Sequence, residues 1–306
     1  MLFKQATTGF QEVKEQRIEL EKNLQQKVEK NLDVVFWLEF ISSEFQLNWL
    51  RIDTLAFNSE TSSFVIIEYK RDRSFSIIDQ WYAYLSLMLN HKADFILEYQ
   101  EKTKKSLAKS EVSRSESKVI FLANSFTIHQ KNAINFKDLP IELWEVNKYG
   151  WDFFSFTPIK ASQQTESIKT ITKDETVKSV SREIQTYTIE DHIKSDRTNT
   201  EALYKELREL LLSMDERIEE SFVKAYIGYK IGNHVAVLIK PQKSKILFEF
   251  LRVQPHDLKD PEKKVIEKPN AMKYYNKYVS SMDIKNKDDI NYAIFLSKQI
   301  INKFFA

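Results

Sequence analysis

Residues 51–70, RIDTLAFNSETSSFVIIEYK, constrain the fold more than any other stretch of the chain. Two runs rich in β-branched and aromatic residues, RIDTLAF and FVIIEYK, flank the polar NSETSS, which is the pattern of a β-hairpin. A turn centred between Glu60 and Thr61 sets Phe57 opposite Phe64, Leu55 opposite Ile66 and Asp53 opposite Glu68. Side chains alternate with period two, so these pairs share one face, and Lys70 joins them two residues beyond Glu68. The apolar rungs set the register and thereby bring a carboxylate pair and an ammonium to the open end. Like charges directly opposite each other are destabilising. A hard divalent cation between them removes that cost and uses their oxygens. Lys70 beside them is suited to neutralise a substrate phosphate or to orient an attacking water.

The surroundings of the hairpin read as helices and buried strands. Residues 17–32, RIELEKNLQQKVEKNL, form an amphipathic helix, with Ile18 and Leu20 leading into a stripe of Leu24, Val28 and Leu32. Glu21 lies on that stripe, where a glutamate needs a partner, while Glu15, Glu19 and Glu29 are expected to point elsewhere. VFWLEFISSEFQL is partly helical and then extended, with Glu44 on the strand surface. A second helix covers about 76–91 and carries Gln80 and Tyr84 four residues apart, hence on one face. KTKKSLAKSEVSRSESK lacks an apolar period and reads as a solvated loop. KVIFLANSF is a buried strand, TIHQKNAINFKDL a short helix, and IELWEVNKYGWDFFSFTPI two strands around a turn at Lys148–Gly150. The order α, strands, α, β, α, β makes an α/β (α+β) layer with helices covering a central sheet.

The 306 residues suggest two domains. Residues 160–186 are rich in Ser, Thr, Lys and Glu without an aromatic, and read as a linker between 1–159 and a small α+β domain at 187–306. That second domain opens with the helix NTEALYKELRELLLSM and closes with DDINYAIFLSKQIINKFF. Between them lie SFVKAYIGYKIG and HVAVLIKPQKSKILFEFLRV, the latter with a break at Pro241. Lys224, Lys230, Lys240, Lys243 and Lys245 lie on or beside these strands. They read as a solvated face, with a phosphate-binding face beside Tyr226 and Tyr229 as the alternative.

Composition removes several chemistries. The absence of cysteine excludes disulfides, cysteine zinc sites and thiol nucleophiles, and suits a reducing cytoplasm. Four glycines leave no Walker A loop or G-x-G-x-x-G turn. No apolar run reaches membrane-spanning length, and the N-terminus has no apolar signal core. A net charge of +2 neither marks nor excludes a nucleic-acid binder. The five histidines show no metal-ligand spacing.

With these residues in view, Asp53 followed by Glu68-Tyr69-Lys70 resembles the D…(D/E)-x-K core of the PD-(D/E)xK nuclease superfamily. Gln80-x-x-x-Tyr84 resembles the Q-x-x-x-Y helix of its RecB-like branch. RIDTL…VIIEYKRDRS…Q is similar to the nuclease domain of NucS-like mismatch endonucleases, and Glu21 matches their early helix glutamate. The resemblance covers roughly residues 15–158. The C-terminal part resembles a domain of unknown function found beside such nuclease domains in proteins labelled predicted transport proteins. Relatives often carry Gly before R-I-D, where this chain has Leu50; that alters a backbone position and no ligand.

The resemblance implies an N-terminal restriction-endonuclease-like fold, with a central mixed sheet flanked by helices. It implies Mg²⁺ or Mn²⁺ held by Asp53, Glu68, the Tyr69 carbonyl and Glu21, and Lys70 as the residue that positions water or stabilises the transition state. Gln80 and Tyr84 would orient the lysine or contact the backbone, and Arg51, Arg71 and Arg73 would hold phosphates. The resemblance implies DNA as the partner, with RNA as an alternative, and a homodimer as a possible assembly. The expected function is a cytoplasmic endonuclease acting in DNA repair or defence against foreign DNA. Two other readings stand beside it: a non-catalytic nucleic-acid-binding or adaptor protein that retains the fold, and a module whose C-terminal domain recognises a protein or small ligand.

Overall fold

The stretch 51–70 forms the expected hairpin, in the interior of a larger sheet. In the computed structural model the described residues are all except 8, 17, 19–20, 71–76, 114–115, 136–139, 161–186, 195–197, 233, 270, 273–276 and 305–306. Strands β5 (Leu50–Asn58) and β6 (Ser63–Lys70) are antiparallel, with Leu55 opposite Ile66 and Phe57 opposite Phe64. The Phe57 and Phe64 rings meet edge to face at 5.3 Å, a favoured aromatic geometry. Asn58 Oδ1 accepts the Glu60 and Thr61 amides at 2.8 and 3.3 Å and closes the turn, as asparagine does in tight turns.

Around this hairpin the first unit builds a mixed sheet. β4 (Glu39–Leu47) pairs antiparallel with β5, while β7 (Lys118–Ala123) and β8 (Ile141–Tyr149) run parallel to β6. β9 (Phe153–Pro158) and the short β3 (Glu15–Gln16) pair antiparallel with β8. Strands β6 and β7 are buried on both faces, which explains their nearly unbroken apolar runs. On one face α1 (Glu21–Glu29) and α2 (Leu32–Val35) pack Leu24, Val28 and Leu32 against Ala56, Val65, Ile67 and Tyr69. On the other, α3 (Ile77–Asn90) and α4 (Lys92–Thr103) pack Trp81, Tyr84, Phe95 and Tyr99 against Leu55, Phe57, Phe64 and Ile66.

Part of this unit differs from the sequence reading. The segment after α4 is no purely solvated loop, because Leu107 and Val112 are buried in the α3–α4 core. The Lys92 ammonium ties it down by donating to the carbonyls of Lys109 (2.6 Å) and Val112 (3.0 Å). Two isolated apolar residues in a lysine-rich run produce no periodic signal, yet they suffice to dock it. At the N-terminus, β1 (Leu2–Ala6) and β2 (Gly9–Val13) form a separate two-stranded ribbon.

The chain divides into units Met1–Gln185 and Thr186–Ala306. The second unit is a sheet ordered β10-β11-β12-β13-β15-β14. Its strands are Ile218–Val223, Tyr226–Ile231, His234–Pro241, Ile246–Leu251, Ile266–Glu267 (β14) and Val279–Ile284 (β15). Helices Thr198–Ser213 and Lys287–Phe304 cover it with Leu203, Leu207, Ile290, Leu296 and Ile300. The break at Pro241 occurs as expected, and a further turn at Lys224–Ala225 splits the first long strand. Tyr229 does not form a stacking face: it is buried, and its hydroxyl donates to Glu220 at 2.7 Å. Lys240 and Lys245 pair with Glu249 (2.7 Å) and Asp283 (2.6 Å). No described helix is long and apolar enough to cross a membrane.

Candidate active site

The β5–β6 ladder runs from Asn58↔Ser63 to Thr54↔Ile67. One step further the two carboxylates take over from the backbone. The Asp53 amide donates to Glu68 Oε1 at 3.2 Å, and the Tyr69 amide donates to Asp53 Oδ2 at 3.1 Å. Each carboxylate thus holds an amide of the opposite strand, so the pair is interlocked as well as adjacent. Lys70 Nζ donates to Glu68 Oε2 at 3.1 Å.

The interlock coincides with a change of face in both neighbouring strands. Ser43 and Thr54 bond to residues of α1, whereas Phe45 and Ile52, two residues away on each strand, pack in the α3–α4 core. Glu44 and Asp53 are the residues at the switch. Glu44 adopts φ 54°, a left-handed conformation that costs a non-glycine residue roughly 1–2 kcal/mol. Its carboxylate pairs with the Arg51 guanidinium at 3.0 Å. Glu44 therefore lies on the strand surface, as expected, and backbone strain is stored next to Asp53.

Glu68 is only 2% exposed. Burial, then the Asp53 charge, push its carboxyl up to about 7, against the opposing pull of Lys70, the Asp53 amide and the Tyr84 hydroxyl. In the unfolded chain the same group titrates near 4.5. Between these values the native state keeps a proton that the unfolded state has lost. Its contribution to stability is full below about pH 4.5 and is lost as pH rises through 7. In EDTA, urea denaturation of the wild type is expected to show stability falling by roughly 3 kcal/mol across this window. Glu68→Gln removes the titration and flattens the curve; parallel wild-type and variant curves would contradict this assignment.

Helix α1 buttresses the site from behind. Gln25, buried, donates through Nε2 to the Asp53 carbonyl (2.8 Å), Glu29 Oε1 (3.0 Å) and Ser43 Oγ (3.1 Å). Thr54 Oγ1 donates to Glu29 Oε1 at 2.7 Å and lies 3.2 Å from the Tyr69 hydroxyl. Glu29 was expected to point away from the sheet; it points at it. A stripe drawn through apolar residues alone hid the polar row of Gln25 and Glu29, one helical turn apart. Glu21 opens α1, but its side chain, like Arg71 and Arg73, lies outside the described residues. Tyr84 reaches the site: its hydroxyl donates to the Arg51 carbonyl at 3.2 Å and bears on Glu68. Gln80 sits one turn earlier, with its side-chain oxygen buried and lacking a hydrogen-bond partner. The Arg51 side chain is 64% exposed beside the carboxylates.

An uncharacterized protein of Haemophilus influenzae is 37% identical over 291 residues, which cover 95% of each chain. The chain belongs to that protein's family. Within it, residues 189–290 match the family model of a domain of unknown function, DUF5655. Among solved structures, an EndoMS–dsDNA2 complex is 16% identical with a TM-score of 0.30, over 45% of this chain and 50% of that one. A repair endonuclease from Pyrococcus abyssi is 17% identical with a TM-score of 0.25, over 43% of this chain and 50% of that one. The match thus spans half the length of each of those chains.

Proposed function

We propose that this chain is a Mg²⁺- or Mn²⁺-dependent endonuclease that hydrolyses DNA phosphodiester bonds, in repair or in defence against foreign DNA. The observation that carries the reading is the interlock of Asp53 with Glu68 and Lys70 at the end of β5 and β6. Neither carboxylate is spent on an ordinary surface ion pair. Holding a buried acid against a second, half-buried one is costly without a cation or proton.

Carboxylate and carbonyl oxygens would suit a hard divalent ion. Among the described residues no group of three or more acidic or histidine side chains converges. Asp53, Glu68 and the Tyr69 carbonyl would therefore supply the described share. Mg²⁺ suits this share because it is usually held by one or two carboxylates and keeps several waters. When bound, the ion would polarise the phosphodiester and lower the pKa of a water. Lys70, held at Glu68, is poised to orient that water or to bind the oxygen on which charge develops. Tyr84 fixes the Arg51 backbone and helps keep Glu68 ionised. Arg51, with Arg71 and Arg73, would hold flanking phosphates without reading sequence.

A panel of single-stranded, duplex, mismatched and branched DNA, incubated with Mg²⁺, Mn²⁺ or EDTA, tests this reading. Metal-dependent cleavage of at least one substrate is expected. Salt-dependent binding without cleavage of any would replace the endonuclease with a non-catalytic nucleic-acid-binding protein.

A further inference from the structure

The site lies toward the end of the sheet where β6 and β7 finish: Glu68 is level with Phe121 and Leu143, and Lys70 with Ala123 and, through it, with Glu145 of β8. Two hairpin tips project from this same end. β4 and β5 are joined there by Asn48–Trp49, one step beyond the Leu47↔Leu50 pair. β8 runs on from Glu145 to Tyr149 and turns through Gly150–Asp152 into β9. Each tip carries a tryptophan, Trp49 (79% exposed) and Trp151 (83% exposed). Strand order separates β5 from β8 by three spacings, about 14 Å. The β5–β6 site thus falls between the two indoles along the sheet.

Both tips are held in place. Asn48 adopts φ 54°, and its side-chain amide lies 3.0 Å from His91 Nε2. Gly150 adopts φ 55°, and its amide donates to the Lys14 carbonyl at 3.0 Å; a Cβ there would meet Val13 at 3.1 Å. Trp151 also has a cation beside it. Lys148 Nζ lies 5.7 Å from the Trp151 ring centroid, and Arg51, paired with Glu44, follows Trp49 by two residues in the sequence. Exposed aromatic faces set along one edge, with a cation beside one of them, suit single-stranded nucleic acid: a ring stacks on a base and the cation meets its phosphate. Bases inside a duplex have no free face to offer.

We infer that Trp49 and Trp151 are stacking residues for unpaired bases on either side of Asp53, Glu68 and Lys70, so that the strand presented to the site is single-stranded. This rests on the phosphodiesterase reading and adds its substrate class. The test uses the full chain in EDTA, with fluorescein-labelled oligo(dT) and a duplex of equal length read by anisotropy. Wild type is expected to bind the single strand at least tenfold more tightly than the duplex. Trp49→Ala and Trp151→Ala each weaken oligo(dT) binding about 5- to 100-fold and leave duplex binding unchanged, while Trp→Phe at either position restores most of the affinity. Both residues are exposed, and circular dichroism checks that the variants fold. Unchanged oligo(dT) binding by both alanine variants overturns the inference, as does equal weakening toward single strand and duplex. Binding is read without cleavage, so a protein that stacks single strands and never cuts them sinks the endonuclease alone. One that cuts duplex and single strand alike in both variants sinks the stacking assignment alone.

Discussion

Lys70→Ala is expected to lower cleavage by about 10²–10³ in kcat, the loss seen when one preorganised donor to a developing charge is removed. Lys70 donates to Glu68 at 3.1 Å and its side chain is 17% exposed, so the ammonium is fixed rather than free to wander. Its removal leaves the Asp53–Glu68 interlock intact, because that interlock runs through the Asp53 and Tyr69 amides. The variant should therefore fold and bind oligonucleotide in EDTA nearly as the wild type does, losing about one phosphate contact from the salt dependence. Single-turnover rates at saturating metal separate the two effects. A variant that cuts at the wild-type rate removes Lys70 from the chemistry, and one that fails to bind reassigns it to substrate holding.

The second large effect is a split between activity and stability. Asp53→Asn is expected to abolish detectable cleavage and to raise the melting temperature of the metal-free protein. The asparagine oxygen still accepts the Tyr69 amide, so the geometry survives. The charge that helps push Glu68 up to about 7 is gone. Relief of that repulsion is worth roughly 1–2 kcal/mol, or a few degrees in a domain of this size. Adding Mg²⁺ should then raise the melting temperature of the wild type but not of the variant. A variant that melts lower than the wild type in EDTA would mean that Asp53 is a structural acceptor rather than a ligand held ready.

Much of this site was legible in the chain. The carboxylate pair follows from counting outward from the NSETSS turn, because Phe57, Phe64, Leu55 and Ile66 all need the core. Tyr84 follows from its helical spacing. Gln25 and Glu29 were missed because the stripe on α1 was traced through leucine and valine, and the sheet they face is polar only where Ser43, Thr54 and the Asp53 carbonyl meet them. The docked segment after α4 was missed because its two buried residues, Leu107 and Val112, repeat at no period.

The sequence by itself determined the register of one hairpin and, through it, which acids stand opposite each other, since the polar NSETSS turn fixes the pairs counted outward from it and Phe57, Phe64, Leu55 and Ile66 then share one face. Only the tertiary structure decided the rest. The face switch at Glu44 and Asp53 needs a left-handed glutamate that no local pattern announces. The approach of Trp49 and Trp151 to one end of the sheet depends on β7 and β8 running parallel to β6, a choice made by long-range strand pairing.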